Sequence, residues 1–194
     1  MPGELLFEKS RAALEGGCKI IQYRNKTLPP HLALEKARRL KTLCDEFSAS
    51  LIINDSIELA KAVNAGVHLG QSDDAITLAR QMLGEGAIIG ATCHNQLGLA
   101  HKAIGEGASY VAFGRFFPSS TKPSASPADI SLLEEINQLP IPNVVIGGIN
   151  VDNAAPLISA GARCIAVSEA VFGCDQLSQV TQSAARLSQI IPLP

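Results

Sequence analysis

"SLIINDSIELAKAVNAGVHLGQSDD", residues 50–74, decides the fold. Its opening, Ser50–Asn54, is a short apolar run of strand length. The middle, Ile57–Asn64, carries a helical pattern, and Gly66–Gly70 is a second short apolar run. Strand, helix and strand in so little chain fit a parallel crossover unit. Both strands are apolar on both faces, as strands of a buried parallel sheet are.

The same alternation runs outward in both directions. Further strands are predicted at Cys18–Arg24, Ile88–His94, Tyr110–Phe116, Asn143–Ile149 and Cys164–Glu169. Further helices are predicted at Gly3–Glu15, His31–Phe47, Ala75–Leu83, Gln96–Gly105, Ala128–Gln138, Val151–Ser159 and Gln176–Ile190. Ser126-Pro127 is read as the cap and first residue of one of these helices. Gly84, Gly107 and Gly161 are read as helix ends. This is an α/β pattern, and its repeat count predicts a TIM (β/α)8-type barrel lacking its first strand. An open doubly wound sheet is the alternative. With no linker, charge block or low-complexity tract, residues 1–194 read as one barrel domain.

Composition narrows the function. The chain has 194 residues, 46% of them hydrophobic, which supports a packed core. A formal charge of −2 gives no basic surface for nucleic acid. No apolar run is long enough to suggest a membrane span. The N-terminal stretch reads as an amphipathic helix and not a signal peptide. The five cysteines form no CxxC pair and read as small buried hydrophobes in a reducing cytoplasm. The histidines lack zinc-site spacing. The oligomeric state is left open, a homo-oligomer included.

In parallel α/β folds the site forms at the carboxyl ends of the strands. There the sequence places Gln22, Arg24 and Lys26, spaced by two and so on one face. Asn54 and Asp55 follow the second strand, Gln71 and Asp73 the third, and Thr92 ends the fourth. Ser119, Ser120, Thr121 and Lys122 follow the fifth, Gly147-Gly148 the sixth, and Ser168-Glu169 the seventh. Each group also has a plainer reading. Asn54-Asp55-Ser56 and Asp73-Asp74 are good helix caps. Arg24 and Lys26 suit a solvated strand end, 119–125 suits a surface loop, and His68 reads as structural. Together on one rim they suggest more. Asp55, Asp73 and Asn54 are hard oxygen donors suited to Mg²⁺. Arg24, Lys26 and Lys122 suit a diphosphate, with hydroxyls from Ser119 and Thr121. Gly148 and the Ser168-Glu169 turn suit a second phosphate through backbone N–H groups.

The stretches "GGCKIIQYRNK", "LIINDSIELA", "GVHLGQSD", "IIGATCHN", "GASYVAFGRFFPSSTK", "VVIGGI" and "GARCIAVSEAV" resemble, in order, the thiamine phosphate synthase family. The resemblance implies a magnesium-dependent transferase joining a pyrimidine diphosphate to a thiazole phosphate and releasing pyrophosphate. It implies that Gln22, Arg24, Lys26 and Asn54 hold the pyrimidine diphosphate and that Asp55 and Asp73 hold Mg²⁺. Lys122 would reach the diphosphate, with Arg24 and Lys26 as the other catalytic cations. Thr92 stands where the family usually has Ser. Ser119, Ser120 and Thr121 would lie by the thiazole phosphate, with Gly148, Ser168 and Glu169. There are departures: an opening strand resembling "LYLVTD" is not in this sequence, and Glu169 replaces a common Ser. Two alternatives are a non-catalytic phosphate-binding barrel and a thiazole tautomerase. The tautomerase would carry His where Arg115 stands.

Overall fold

The computed structural model describes residues 3–118 and 127–191. Among these, seven parallel strands form one sheet in sequence order: β1 Ile20–Tyr23, β2 Ser50–Asn54, β3 Gly66–Leu69, β4 Ile89–His94, β5 Tyr110–Phe113, β6 Asn143–Ile146 and β7 Ile165–Ala166. The helices are α1 Gly3–Glu15, α2 Pro30–Glu46, α3 Ile57–Ala62, α4 Ile76–Leu83, α5 Leu97–Gly105, α6 Leu132–Ile136, α7 Ala154–Ser159, α8 Glu169–Phe172 and α9 Leu177–Ile190. This is a TIM-like α/β barrel lacking one strand. Unbroken neighbour-to-neighbour order excludes a doubly wound sheet, whose strand order reverses.

Alternation along the strands sorts the side chains. Ile21, Tyr23, Leu51, Ile53, Val67, Leu69, Ile89, Ala91, Val111 and Phe113 are buried in the core that the helices share. The other face looks into the barrel and carries Gln22, Asn54, His68, Thr92 and Tyr110. Apolar burial therefore lies mainly between sheet and helices, and the inner face is free to be polar at its carboxyl end.

Several elements are shorter than the sequence predicts. The helix expected at Ala128–Gln138 begins only at Leu132. The Asp129 carboxylate accepts the Ser131 backbone N–H at 2.9 Å and holds a turn there, so Ser126-Pro127 is not the helix start; Ser126 lies outside the described residues. The helix expected from Val151 begins at Ala154, because Asn150 Oδ1 accepts from Asp152 N and Asn153 N. Among the described residues the seventh strand pairs on one side only, and it shrinks to two residues. Glu169 accordingly starts the unexpected short helix α8 and does not end a strand.

The barrel closes in its helical layer and not in its strand layer. No pairing joins β1 to β7 among the described residues. Outside that seam, α1 lies against α9: a Cβ on Gly16 would come within 2.6 Å of Ala184 Cβ. Lys9, only 4% exposed, donates from Nζ to the Phe172 carbonyl at 3.0 Å and so ties α1 to α8. A second tie braces the other end of the barrel. Arg80 donates to the carbonyls of Gly84, Glu85, Ala87 and Gly107 and to Ser109 Oγ, linking the turns that precede β4 and β5. Ser109 Oγ passes the link on, accepting Ile89 N and donating to the Ala87 carbonyl, both at 3.1 Å. Arg80→Ala strips several carbonyls of a charged donor at once. It should destabilise by about 2–3 kcal/mol in urea unfolding; a loss under about 0.5 kcal/mol would mean that water replaces the guanidinium.

Candidate active site

The carboxyl ends of β1 to β4 bring the expected polar groups together. Gln22 Nε2 donates to Asn54 Oδ1 at 2.8 Å, joining β1 to β2. This leaves the Asn54 amide nitrogen without a partner among the described residues. Arg24 and Lys26 are both exposed. β1 ends at Tyr23, short of the predicted Arg24, so both stand in the loop beyond it, where strand alternation no longer sets their side. Both act on Asp55.

Asp55 comes next and adopts a left-handed backbone, φ 70°. The helix-cap reading of this stretch belongs to Ser56 alone, whose hydroxyl accepts Leu59 N at 3.2 Å. Asp55 is therefore spared for the rim. Asp73 is likewise no cap: α4 starts after Ala75 with no side-chain cap bond. Its Oδ2 instead accepts Gly70 N at 2.6 Å and closes the turn after β3. The two carboxylates meet. Burial pushes the Asp55 carboxyl above its ordinary range, and contact with Asp73 pushes it further; Arg24 and Lys26 pull it back. Two facing carboxylates in a partly dry rim are a natural seat for a cation. Among the described residues no cluster of three or more His, Cys, Asp or Glu side chains is suited to a metal. Two carboxylates are a donor set that would fit Mg²⁺, which takes oxygen ligands and usually keeps several waters.

Thr92 is 8% exposed and sits where the β4–β5 register shifts, between Thr92 and His94. Such a bulge re-aims the side chains at a strand end. Its carbonyl accepts Gln71 Nε2, and its hydroxyl meets His68 Nε2 at 2.9 Å. His68 Nδ1 in turn meets the Tyr110 hydroxyl at 2.9 Å, with the two rings stacked at 5.6 Å. Burial pushes the Tyr110 phenol far above its ordinary value, so it keeps its proton. The sequence reading missed Tyr110. A signal existed in Gly90, since glycine inside a strand often marks a close approach. A Cβ there would overlap Cζ and the hydroxyl of Tyr110.

The other half of the rim is built from turns. Gly147 and Gly148 have φ of 96° and 64°, and both are packed against the chain leaving β5. A Cβ on Gly148 would overlap the Pro118 carbonyl oxygen and stand 2.9 Å from Phe117 Cβ. Asn153 Nδ2 holds the Gly148 carbonyl at 2.9 Å. Ser168 and Glu169 are exposed at the start of α8. A Cβ on Gly173 would lie 2.7 Å from Glu169 Oε1, so that carboxylate folds back along its own helix and away from the turn. Ser119, Ser120, Thr121 and Lys122 lie outside the described residues.

Fold and rim together define a TIM-like β/α barrel that gathers its polar groups at the carboxyl ends of the strands, as enzymes of this architecture do. Residues 2–171 match the family described as thiamine monophosphate synthase, and the chain belongs to that family. It is 48% identical over 189 residues to the thiamine-phosphate synthase of Alcanivorax borkumensis, covering 96% of this chain and 87% of that protein. Among solved structures it resembles a thiamine phosphate pyrophosphorylase from Pyrococcus furiosus, with a TM-score of 0.86 and 35% identity over 95% of this chain and 88% of that one. A thiamine phosphate pyrophosphorylase from Bacteroides thetaiotaomicron, at 18% identity and a TM-score of 0.66 over 98% of this chain and 91% of that one, shares the fold. Among the described residues no helix is long and apolar enough to cross a membrane.

Proposed function

We propose that this barrel joins the methylene of a pyrimidine diphosphate to the ring nitrogen of a thiazole phosphate, giving thiamine phosphate and pyrophosphate. The observation that carries the reading is the contact of Asp55 with Asp73 beside Arg24 and Lys26. A lone cation site would need only the carboxylates. A diphosphate-binding site also needs the two cations.

In this reading Gln22, Asn54 and Thr92 orient the pyrimidine diphosphate. Arg24, Lys26 and Lys122 take up negative charge as the leaving group departs. Asp55 and Asp73 would hold Mg²⁺, which when bound neutralises diphosphate charge. The electron-rich aminopyrimidine supports positive charge at its methylene as that bond breaks, and the thiazole nitrogen then attacks. No protein nucleophile is needed, and much of the rate comes from holding two substrates in register. The thiazole phosphate would rest against backbone N–H groups near Gly148 and Ser168, with Ser119, Ser120 and Thr121 beside it. Glu169, folded back along α8, would leave that turn to its N–H groups.

The test is direct. Protein, both substrates and Mg²⁺ should yield thiamine phosphate and pyrophosphate in equal amounts, and EDTA should stop both. Binding of both substrates without product would favour the non-catalytic barrel. The tautomerase reading loses its support because Arg115 occupies the position where that chemistry would need His.

A further inference from the structure

Thr92 carries one hydroxyl hydrogen, and the network behind it determines where that hydrogen is free to go. The Tyr110 hydroxyl is a donor that must find an acceptor when buried. Among the described residues its hydrogen-bond partner is His68 Nδ1. With Tyr110 as the donor in this contact, Nδ1 carries no hydrogen of its own. In a neutral imidazole the hydrogen then sits on Nε2. Nε2 donates to Thr92 Oγ1 at 2.9 Å. Thr92 is left as an acceptor on its inner side, with its own hydrogen unspent. In the opposite tautomer Thr92 would donate to His68, and the Tyr110 hydrogen would have no acceptor among the described residues.

We propose that Tyr110 and His68 are positioning residues that fix Thr92 as a hydrogen-bond donor to an anionic group at the rim, the diphosphate of the pyrimidine substrate. The proposal rests on the transferase reading for that ligand. The row of contacts from Gly90 through Tyr110 and His68 supports it, because each member is shaped for the next. Gly90 makes room for the phenol, the stacked rings hold the first bond, and the Gln71 amide pins the Thr92 main chain. A hydroxyl that donated to His68 would have no hydrogen to give the diphosphate. Held as an acceptor from Nε2, it keeps its hydrogen for the anion, ahead of any chemistry.

Two measurements test it. The first is nitrogen NMR of His68 in the unmodified protein, assigned with His68→Gln. Nδ1 should be bare and Nε2 protonated; the reverse tautomer overturns the proposal. The second is a double-mutant cycle on Tyr110→Phe and Thr92→Val. Tyr110→Phe keeps the ring and removes only the hydroxyl. It should raise KM for the pyrimidine diphosphate about tenfold, the size expected for losing one hydrogen bond to a charged group. KM for the thiazole phosphate should stay unchanged. In the Thr92→Val background the same change should add almost nothing, because the donor it orients is gone. Additive effects would mean that Tyr110 acts by packing and overturn the proposal. The same cycle is run on Mg²⁺-dependent pyrophosphate binding by calorimetry, which needs no turnover. Coupled binding effects in a protein that makes no thiamine phosphate would uphold the relay and reject the transferase. Wild-type protein that binds no pyrophosphate would reject the relay's role.

Discussion

Asp55→Asn should lower thiamine phosphate formation at least roughly 100-fold, the cost of losing one of two carboxylate ligands for a catalytic cation. It should also make the metal-free protein more stable at neutral pH. The Asp55 carboxyl is pushed up by burial and by Asp73, so the fold favours its protonated form. That favourable contribution is complete below the ordinary carboxylate pKa. It is lost as pH rises through the higher folded value, leaving two negative charges facing each other at pH 7. Asparagine keeps the shape, tolerates the left-handed backbone at 55 and removes the repulsion. Thermal melts in EDTA from acid to neutral pH should show the wild type losing stability relative to the variant as pH rises. Added Mg²⁺ should reverse the order of the two proteins. Turnover within twofold of wild type would remove Asp55 from the metal site.

The second large effect is expected at Gly148. Its φ of 64° disfavours a side chain, and a Cβ would strike the Pro118 carbonyl. Gly148→Ala should destabilise by about 2 kcal/mol or more by forcing apart the turns after β5 and β6. Because the thiazole phosphate is proposed to sit there, its KM should rise far more than that for the pyrimidine diphosphate. Equal rises in both would indicate general damage to the barrel. No change in either would place the phosphate elsewhere.

Most of the architecture could be read in the chain because parallel strands buried on both faces announce themselves as short apolar runs between helical stretches. Ser50–Asn54 and Gly3–Glu15 match their predicted bounds. The misses share a cause. At Asp129 and Asn150 a side-chain oxygen captures a backbone N–H and delays the helix, a local competition that hydrophobic period does not register. The rim was legible as a set of strand-end residues, but not as pairs. That Ser56, and not Asp55, caps α3 depends on which oxygen reaches Leu59 N. That His68 belongs to a row with Tyr110 depends on adjacency across strands far apart in sequence.

The seam between β1 and β7 has a consequence for amide hydrogen exchange. Ser50 N donates to the Lys19 carbonyl, so Lys19 faces β2, and by strand alternation so do Ile21 and Tyr23. The amides of Ile20 and Gln22 then face the seam, where no strand pairs with them among the described residues. The Ile20 carbonyl there accepts, among the described residues, a thiol, Cys18 Sγ at 3.1 Å. Along β1, fast and slow amides should alternate residue by residue. Gln22, which the proposed site uses, would lie among the fast ones, on an edge strand of the sheet. The barrel would then offer the pyrimidine diphosphate an edge strand as one wall, and a bound substrate would be felt there as slower exchange at residue 22.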